Sequence, residues 1–221
     1  MLRKQRDIRF LSALIAAAIV AGASPAQPAT PQRLTYTVQH SRYGTIGTYS
    51  NAVEKTGEMT TVVTNAHIQV SILGVVLYRQ DASRQESWAG DRLMSFHGVT
   101  TVNGKPFEMS GAADGDRFVM MSPDGEIVAP ASVRIANPWS QEVLRGSTLL
   151  TPDRGRVEDV RVKEAENTSV SINGRSTSAK RYEIDRLNGQ KRYEIWVDER
   201  GTPVKFITYN PNGSVTFTLT S

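Results

Sequence analysis

Asn212-Gly213-Ser214-Val215-Thr216-Phe217-Thr218-Leu219-Thr220 is the stretch that decides the fold class. Val215, Phe217 and Leu219 alternate with Thr216, Thr218 and Thr220, the period of two that turns one row of side chains to a core and the other to water. The Asn-Gly ahead of them tolerates the positive φ of a tight hairpin turn whose twist matches the strands it joins. The same signals recur outward along the chain. Asn-Gly stands again at Asn103-Gly104, Asn173-Gly174 and Asn188-Gly189, and Asp-Gly at Asp114-Gly115 and Asp124-Gly125. Ile68, Val70 and Ile72 alternate with His67, Gln69 and Ser71. Turn signals between period-2 segments predict an all-β, predominantly antiparallel meander.

The remaining strands are expected at Leu34–His40, Thr45–Val53, Met59–Leu73, Val76–Ala89, Arg92–Val102, Lys105–Ser110, Arg117–Met121, Val157–Ala165, Thr168–Ile172, Ser176–Leu187, Lys191–Asp198 and Pro203–Tyr209. Gly44-x-x-Gly47 lacks the Lys-Ser/Thr of a phosphate-binding loop and reads as a bend or bulge. One segment, Ala131–Gly146, breaks the rhythm. Asn137 suits a helix N-cap, Pro138 the first helical position, and Trp139 and Val143 fall one turn apart, so one short helix is expected there as a core-packing crossover.

The 221 residues fit a single domain, read as 33–221, and there is no cysteine. That excludes disulfides, thiolate metal sites, cysteine nucleophiles and a lipid-modified cysteine. Arg3, Lys4, Arg6 and Arg9, then the apolar run Phe10–Gly22 and small residues, follow the order of a secretory signal peptide over residues 1–26. Cleavage is expected after Ala26, with Ala23 the alternative, and residues 27–32 read as a flexible arm. The apolar run is shorter than the ~20 residues that span a bilayer. The whole chain carries a formal charge of +4, but the leader holds four Lys/Arg and one Asp, leaving 22 basic and 21 acidic side chains. A near-neutral domain has no basic stripe to displace counterions from a phosphate backbone, so no nucleic-acid partner is expected. The reading is a periplasmic, exported, soluble protein with no transmembrane segment after cleavage.

Candidate chemistry is sparse. His40, His67 and His97 lack the spacing of a metal motif, so no metal and no cofactor is expected, and no G-x-S-x-G elbow is present. Glu86 and Trp88 project from one face of an expected strand, as do Glu194, Trp196 and Asp198. A carboxylate beside an indole has a route to a raised pKa. Each pair also has a structural reading: Asp198 as a turn residue bonding nearby N–H groups, Glu86 as the partner of an Arg across the sheet. No catalytic residue is assigned. Asn167-Thr168-Ser169 and Asn212-Gly213-Ser214 match the glycosylation sequon, which matters only in a glycosylating pathway.

Tyr36-Thr37-Val38 before Ile46-Gly47, Glu86-Ser87-Trp88 with Gly90 and Leu93, Asn103-Gly104, Trp139, Gly155, and the closing Trp196-Val197-Asp198, Gly201, Val204 and Gly213 resemble a family of exported bacterial β-rich proteins, a domain of unknown function. The last part is also similar to periplasmic lipoprotein carriers of the LolA/LolB kind. That resemblance implies a strongly curved antiparallel sheet, an incomplete barrel, whose concave face holds acyl chains. On such a face Tyr78, Trp88, Phe96, Trp139 and Trp196 are the candidate ligand-binding residues. The expected function is therefore a non-catalytic binding or carrier protein of the cell envelope with a lipid or amphiphilic ligand. The alternative is an envelope structural or assembly partner that binds another protein, with an exported hydrolase behind both.

Overall fold

Hairpins that close on neighbouring strands leave little choice of topology, because each tight turn delivers the next strand beside the last. The computed structural model describes residues 30–153, 155–211 and 213–221. The leader 1–26 and residues 27–29 of the arm lie outside them. Fifteen strands are found among the described residues. They are β1 (Gln32–His40), β2 (Gly44–Thr56), β3 (Met59–Ile72), β4 (Val75–Ala89), β5 (Arg92–Val102), β6 (Lys105–Asp114), β7 (Arg117–Ser122), β8 (Gly125–Pro130), β9 (Arg134–Ile135), β10 (Thr148–Thr151), β11 (Arg156–Ile172), β12 (Arg175–Arg186), β13 (Lys191–Val197), β14 (Pro203–Asn210) and β15 (Gly213–Leu219). All form one sheet in the order β8 to β1, then β15 down to β9. The β9–β10 pair is parallel, and every other pair is antiparallel.

The sheet is an incomplete barrel. Its two edges, β8 and β9, are consecutive in the chain, joined through Ala131–Val133, so at one end they lie at most about 14 Å apart. At the other end the β10–β11 turn packs on β8: a Cβ on Gly155 would stand 2.6 Å from Ile127 Cδ1 and 3.0 Å from Met109 Sδ. The sheet therefore curls round on itself, but the strand pairing does not cross the seam between β8 and β9.

Three details differ from the sequence reading. Gln32, assigned to the arm, already pairs with Val53. The two strands expected at 157–172 are one, β11, with an irregularity between Glu164 and Asn167. The short helix is a single 3-10 turn, Gln141–Arg145, capped by the Ser140 side chain rather than by Asn137. Asn137 is buried, and its side chain is committed to the core instead.

The interior is zoned. Alternation on β4 buries Ala82, Arg84, Glu86 and Trp88 on one face. One apolar cluster gathers Tyr36, Val38, Tyr49, Ala66, Ala82, Phe206 and Phe217, with the Phe206 and Phe217 rings stacked at 4.1 Å. A second gathers Val53, Val62, Trp88, Leu93, Phe96 and Phe118. Between them each strand contributes polar side chains to a belt: Asn51 on β2, Thr64 on β3, Arg84 and Glu86 on β4, and Thr100 on β5, all buried. A buried large apolar side chain is worth about 1.5–3 kcal/mol, so the two clusters supply the stability that this belt consumes.

Candidate functional site

Strand register assembles the belt. Asn51 faces Thr64 across β2–β3, Thr64 faces Arg84 across β3–β4, and Arg84 faces Gly98 across β4–β5. Gly98 keeps that place open: a Cβ there would stand 3.0 Å from both Arg84 Cγ and Phe96 Cζ. Thr64 Oγ1 donates to Asn51 Oδ1 at 2.7 Å, and an Arg84 guanidinium N–H donates to Thr100 Oγ1 at 3.2 Å. Asn51 Nδ2 and Arg84 Nε have no partner among the described residues, although both are buried. An unsatisfied buried donor costs about 1–3 kcal/mol.

The segment between β9 and β10 closes over the belt. After Ala136 bonds the Leu150 carbonyl, two successive tight turns, Asn137 N–H to Ile135 O and Trp139 N–H to Asn137 O, bring both side chains to one point on β4. That point is Glu86. Asn137 Nδ2 donates to Glu86 Oε1 at 2.7 Å, and the indoles of Trp88 and Trp139 donate to Oε2 at 3.0 and 3.1 Å. Asn137 also accepts from the Tyr49 hydroxyl at 2.6 Å and donates to Thr64 at 2.9 Å. Burial drives the Glu86 carboxyl up to about 7, against the opposing pull of these three donors and of Arg84.

Two small cavities flank the closing segment. One is lined by Trp88, Arg134, Asn137 and Trp139, the other by Ala136, Pro138, Tyr193, Ile195 and Phe206, and Val143 borders both. Each measures about 20 Å³, room for one water. Arg134 in the first is nearly buried, ion-paired with Asp91 at 3.2 Å and poised 5.6 Å from the Trp88 ring.

The five residues singled out in the sequence do not form one site. Trp88, Phe96 and Trp139 share the second apolar cluster, with the two indoles 6.1 Å apart. Tyr78 packs at the far end of the first cluster. Trp196 lies on the opposite face of β13 from Ile195 and Val197, with Val170, Ala179 and Val204, beneath Arg181 and Lys205. The two carboxylate candidates also part. Burial raises Glu194 as well, but bonds from Tyr209, Lys191 and Arg181 outweigh it and hold the carboxyl below its ordinary value. Asp198 accepts from the Arg200 and Thr202 amides, as a turn aspartate does. Glu86 meets two indoles and an amide, not an arginine across the sheet. Asn51, Thr64 and Arg84 escaped the sequence reading, and Asn137 entered it only as a helix cap. The signal of the first three was polar residues in the buried phase of apolar strands.

No group of three or more His, Asp or Glu that could hold a metal occurs among the described residues. His67 pairs with Asp81 at 2.6 Å and His97 approaches Glu108 at 4.0 Å, both at the surface.

A curled, almost wholly antiparallel sheet with a buried polar belt and a short covering segment defines the class: an all-β protein whose single sheet is not closed into a barrel. The chain belongs to a family described as a domain of unknown function, DUF6134, whose model matches residues 36–220. No curated protein matches it. Among solved structures, a DUF1089 family protein from Pseudomonas aeruginosa is 12% identical, with 86% of this chain and 95% of that chain covered and a TM-score of 0.36. A domain from Vibrio parahaemolyticus whose structure bears the name of an outer membrane lipoprotein-sorting protein is 8% identical, with 86% and 83% covered and a TM-score of 0.23.

Proposed function

We propose that this is an exported, periplasmic binding protein of the cell envelope that takes a lipid or other amphiphile into its curled sheet and does no chemistry on it. The observation that carries the reading is the zoning of the interior: an apolar cluster on each side of a polar belt in which Asn51 Nδ2 and Arg84 Nε lack partners. An amphiphile matches that sequence of surfaces, its hydrocarbon against the clusters and its oxygen-bearing head on the two free donors. Cavities of about 20 Å³ admit no acyl chain, so uptake requires the segment Ala136–Val143 to lift and give up its volume. That segment has little strand pairing of its own, and Asn137 and Trp139 latch it to Glu86. The Glu86 oxygens are occupied by three fixed donors, which is the arrangement of a latch and not of a general base awaiting a substrate. Export rests on the leader pattern in residues 1–26, and the near-neutral charge of the remainder speaks for a partner other than nucleic acid.

Trp88 and Trp139 are two of the three tryptophans, so intrinsic emission reads the site directly. Titration with oleate or lysophosphatidylethanolamine is expected to shift that emission saturably, and Arg84→Met to weaken the response. If neither amphiphile changes the emission, the binding reading fails. N-terminal sequencing of the periplasmic fraction checks export separately, with Gln27 or Ser24 expected as the first residue.

A further inference from the structure

The tip of the β3–β4 hairpin is built against the rules that the rest of the chain obeys. Asn103-Gly104 and Asn173-Gly174 turn with both residues at positive φ, the conformation that favours Asn followed by Gly. The β3–β4 turn has the same geometry, φ 51° and 80°, but its first residue is Leu73, which is 99% exposed. Leucine disfavours that backbone region, and nothing among the described residues packs on its side chain. Ile72, Val75, Val76 and Leu77 around it are also exposed.

The apolar residues occupy both faces of the hairpin. Opposite Val70 and Ser71 the β4 strand carries one extra residue, Leu77, so Val75 pairs with Ile72 in the phase of buried Val70, while Val76 pairs with Ser71 in the opposite phase. The tip also overhangs its neighbour. Pairing with β5 reaches Gln80 opposite Val102, and Arg79 and Asn103 exchange the last bonds, so Val75–Tyr78 extend about 13 Å beyond the β5–β6 turn.

We infer that this hairpin tip docks the protein on an anionic phospholipid bilayer, with Leu73 inserted among the acyl chains. A protein groove calls for one apolar face, whereas an element apolar all round suits a medium that is apolar on every side. The overhang beyond the β5–β6 turn is long enough for the 5–10 Å depth of interfacial insertion. The β4 edge over Val75–Leu77, which lies beyond the β5 pairing, keeps polar backbone at the headgroup level, so the tip lies in the interface and does not span. The flanks have interfacial chemistry: exposed Arg42 and half-exposed Tyr43 in the β1–β2 turn, and Arg79 and Lys105 at the neck. Acidic and basic residues alternate in the turns at the other end, Glu58, Asp91, Asp116 and Glu199 beside Arg92, Arg117 and Arg200. The charge that favours an anionic surface is therefore the local one of Arg42 and Lys105 beside the tip, with Arg79 shared with Asp81. The inference stands on the hairpin alone, independent of any ligand inside the sheet.

The absence of cysteine allows a local test in the full chain. Leu73→Cys and, at the opposite end, Glu58→Cys are each labelled with an environment-sensitive fluorophore. They are then mixed with vesicles of phosphatidylglycerol and phosphatidylethanolamine, or of phosphatidylcholine alone. The label at position 73 is expected to shift to the blue and brighten with the anionic vesicles, while the label at 58 stays in water even if the leader holds the chain to the membrane. In unlabelled protein, Leu77→Thr, which replaces an exposed isobutyl group with a smaller, hydroxyl-bearing side chain without touching the turn, is expected to weaken vesicle binding about tenfold. A label at 73 that remains in water with bound vesicles overturns the inference. So does one that shifts without lipid as protein concentration rises, which would mean the tip is covered by a second copy.

Discussion

At the residue scale, Glu86 and Glu194 show how one side-chain type takes opposite characters from its neighbours. Glu194 is met by Arg181, Lys191 and Tyr209, and charge-assisted bonds keep it ionised. Glu86 is met by neutral donors in a dry interior, and burial wins. The folded-state pKa of Glu86, about 7, stands above the ordinary 4.5, so the folded protein holds this proton more tightly than the unfolded chain. Its contribution is fully present below pH 4.5 and is lost as pH rises through 7, an effect on the order of 3 kcal/mol. Urea unfolding from pH 4.5 to 8 is expected to show stability falling over that window, and Glu86→Gln is expected to flatten the fall. A profile identical in the two proteins would show that Glu86 does not titrate there. Trp139→Phe keeps most of the ring volume but removes a donor that pulls the pKa down. The midpoint of the pH profile should therefore move upward in that variant, whereas a ring that merely fills space would leave it in place.

At the element scale, two glycines three residues apart in the β1–β2 hairpin separate turn chemistry from close approach. Gly44 has φ +68° and open space where a Cβ would go. Gly47 has φ +154°, and a Cβ there would stand 1.9 Å from the His67 carbonyl oxygen, next to the irregularity between Val38 and Gln39 on β1. Gly44→Ala is expected to cost about 1 kcal/mol in thermal unfolding, and Gly47→Ala about 2–4 kcal/mol because backbone must move. Equal losses would mean that the β2–β3 contact yields easily. Gly47 was legible in the sequence as a bend or bulge, as were most strands, because alternation and Asn-Gly or Asp-Gly turns are local signals. The strands that were not legible lacked those signals. Thr148–Thr151 is buried at all four positions and does not alternate, Gly125–Pro130 is short and ends in proline, and Arg134–Ile135 is two residues long. The candidate site was legible only in its β4 part, Glu86 beside Trp88. Asn137 reads locally as a helix cap, and only the curl of the sheet, a contact between residues 51 positions apart, turns it toward Glu86 instead.

At the scale of the whole molecule, the seam, the covering segment and the latch form one device. The sheet is continuous from β8 round to β9, so its weakest cooperation lies where pairing stops, and the segment from Ala131 to Gly146 begins at that seam. Any opening that lifts Asn137 and Trp139 off β4 exposes Glu86 to water and returns its pKa toward 4.5. The closed form binds the proton more tightly than the open one, so raising the pH from 4.5 to 7 favours opening by the same linkage that governs unfolding. Hydrogen exchange followed by mass spectrometry measures this directly once rates are corrected for the intrinsic effect of pH. Protection of backbone amides in 131–146 is expected to drop on the order of 100-fold between pH 5 and 8. Amides of β1 and β15, paired on both sides at the centre of the sheet order, should change only as far as global stability does. Glu86→Gln should remove the drop in 131–146 and leave the exchange of β1 otherwise as it was. If protection in the segment ignores pH, or if it falls equally in Glu86→Gln, the segment moves without regard to Glu86 and the latch is only packing.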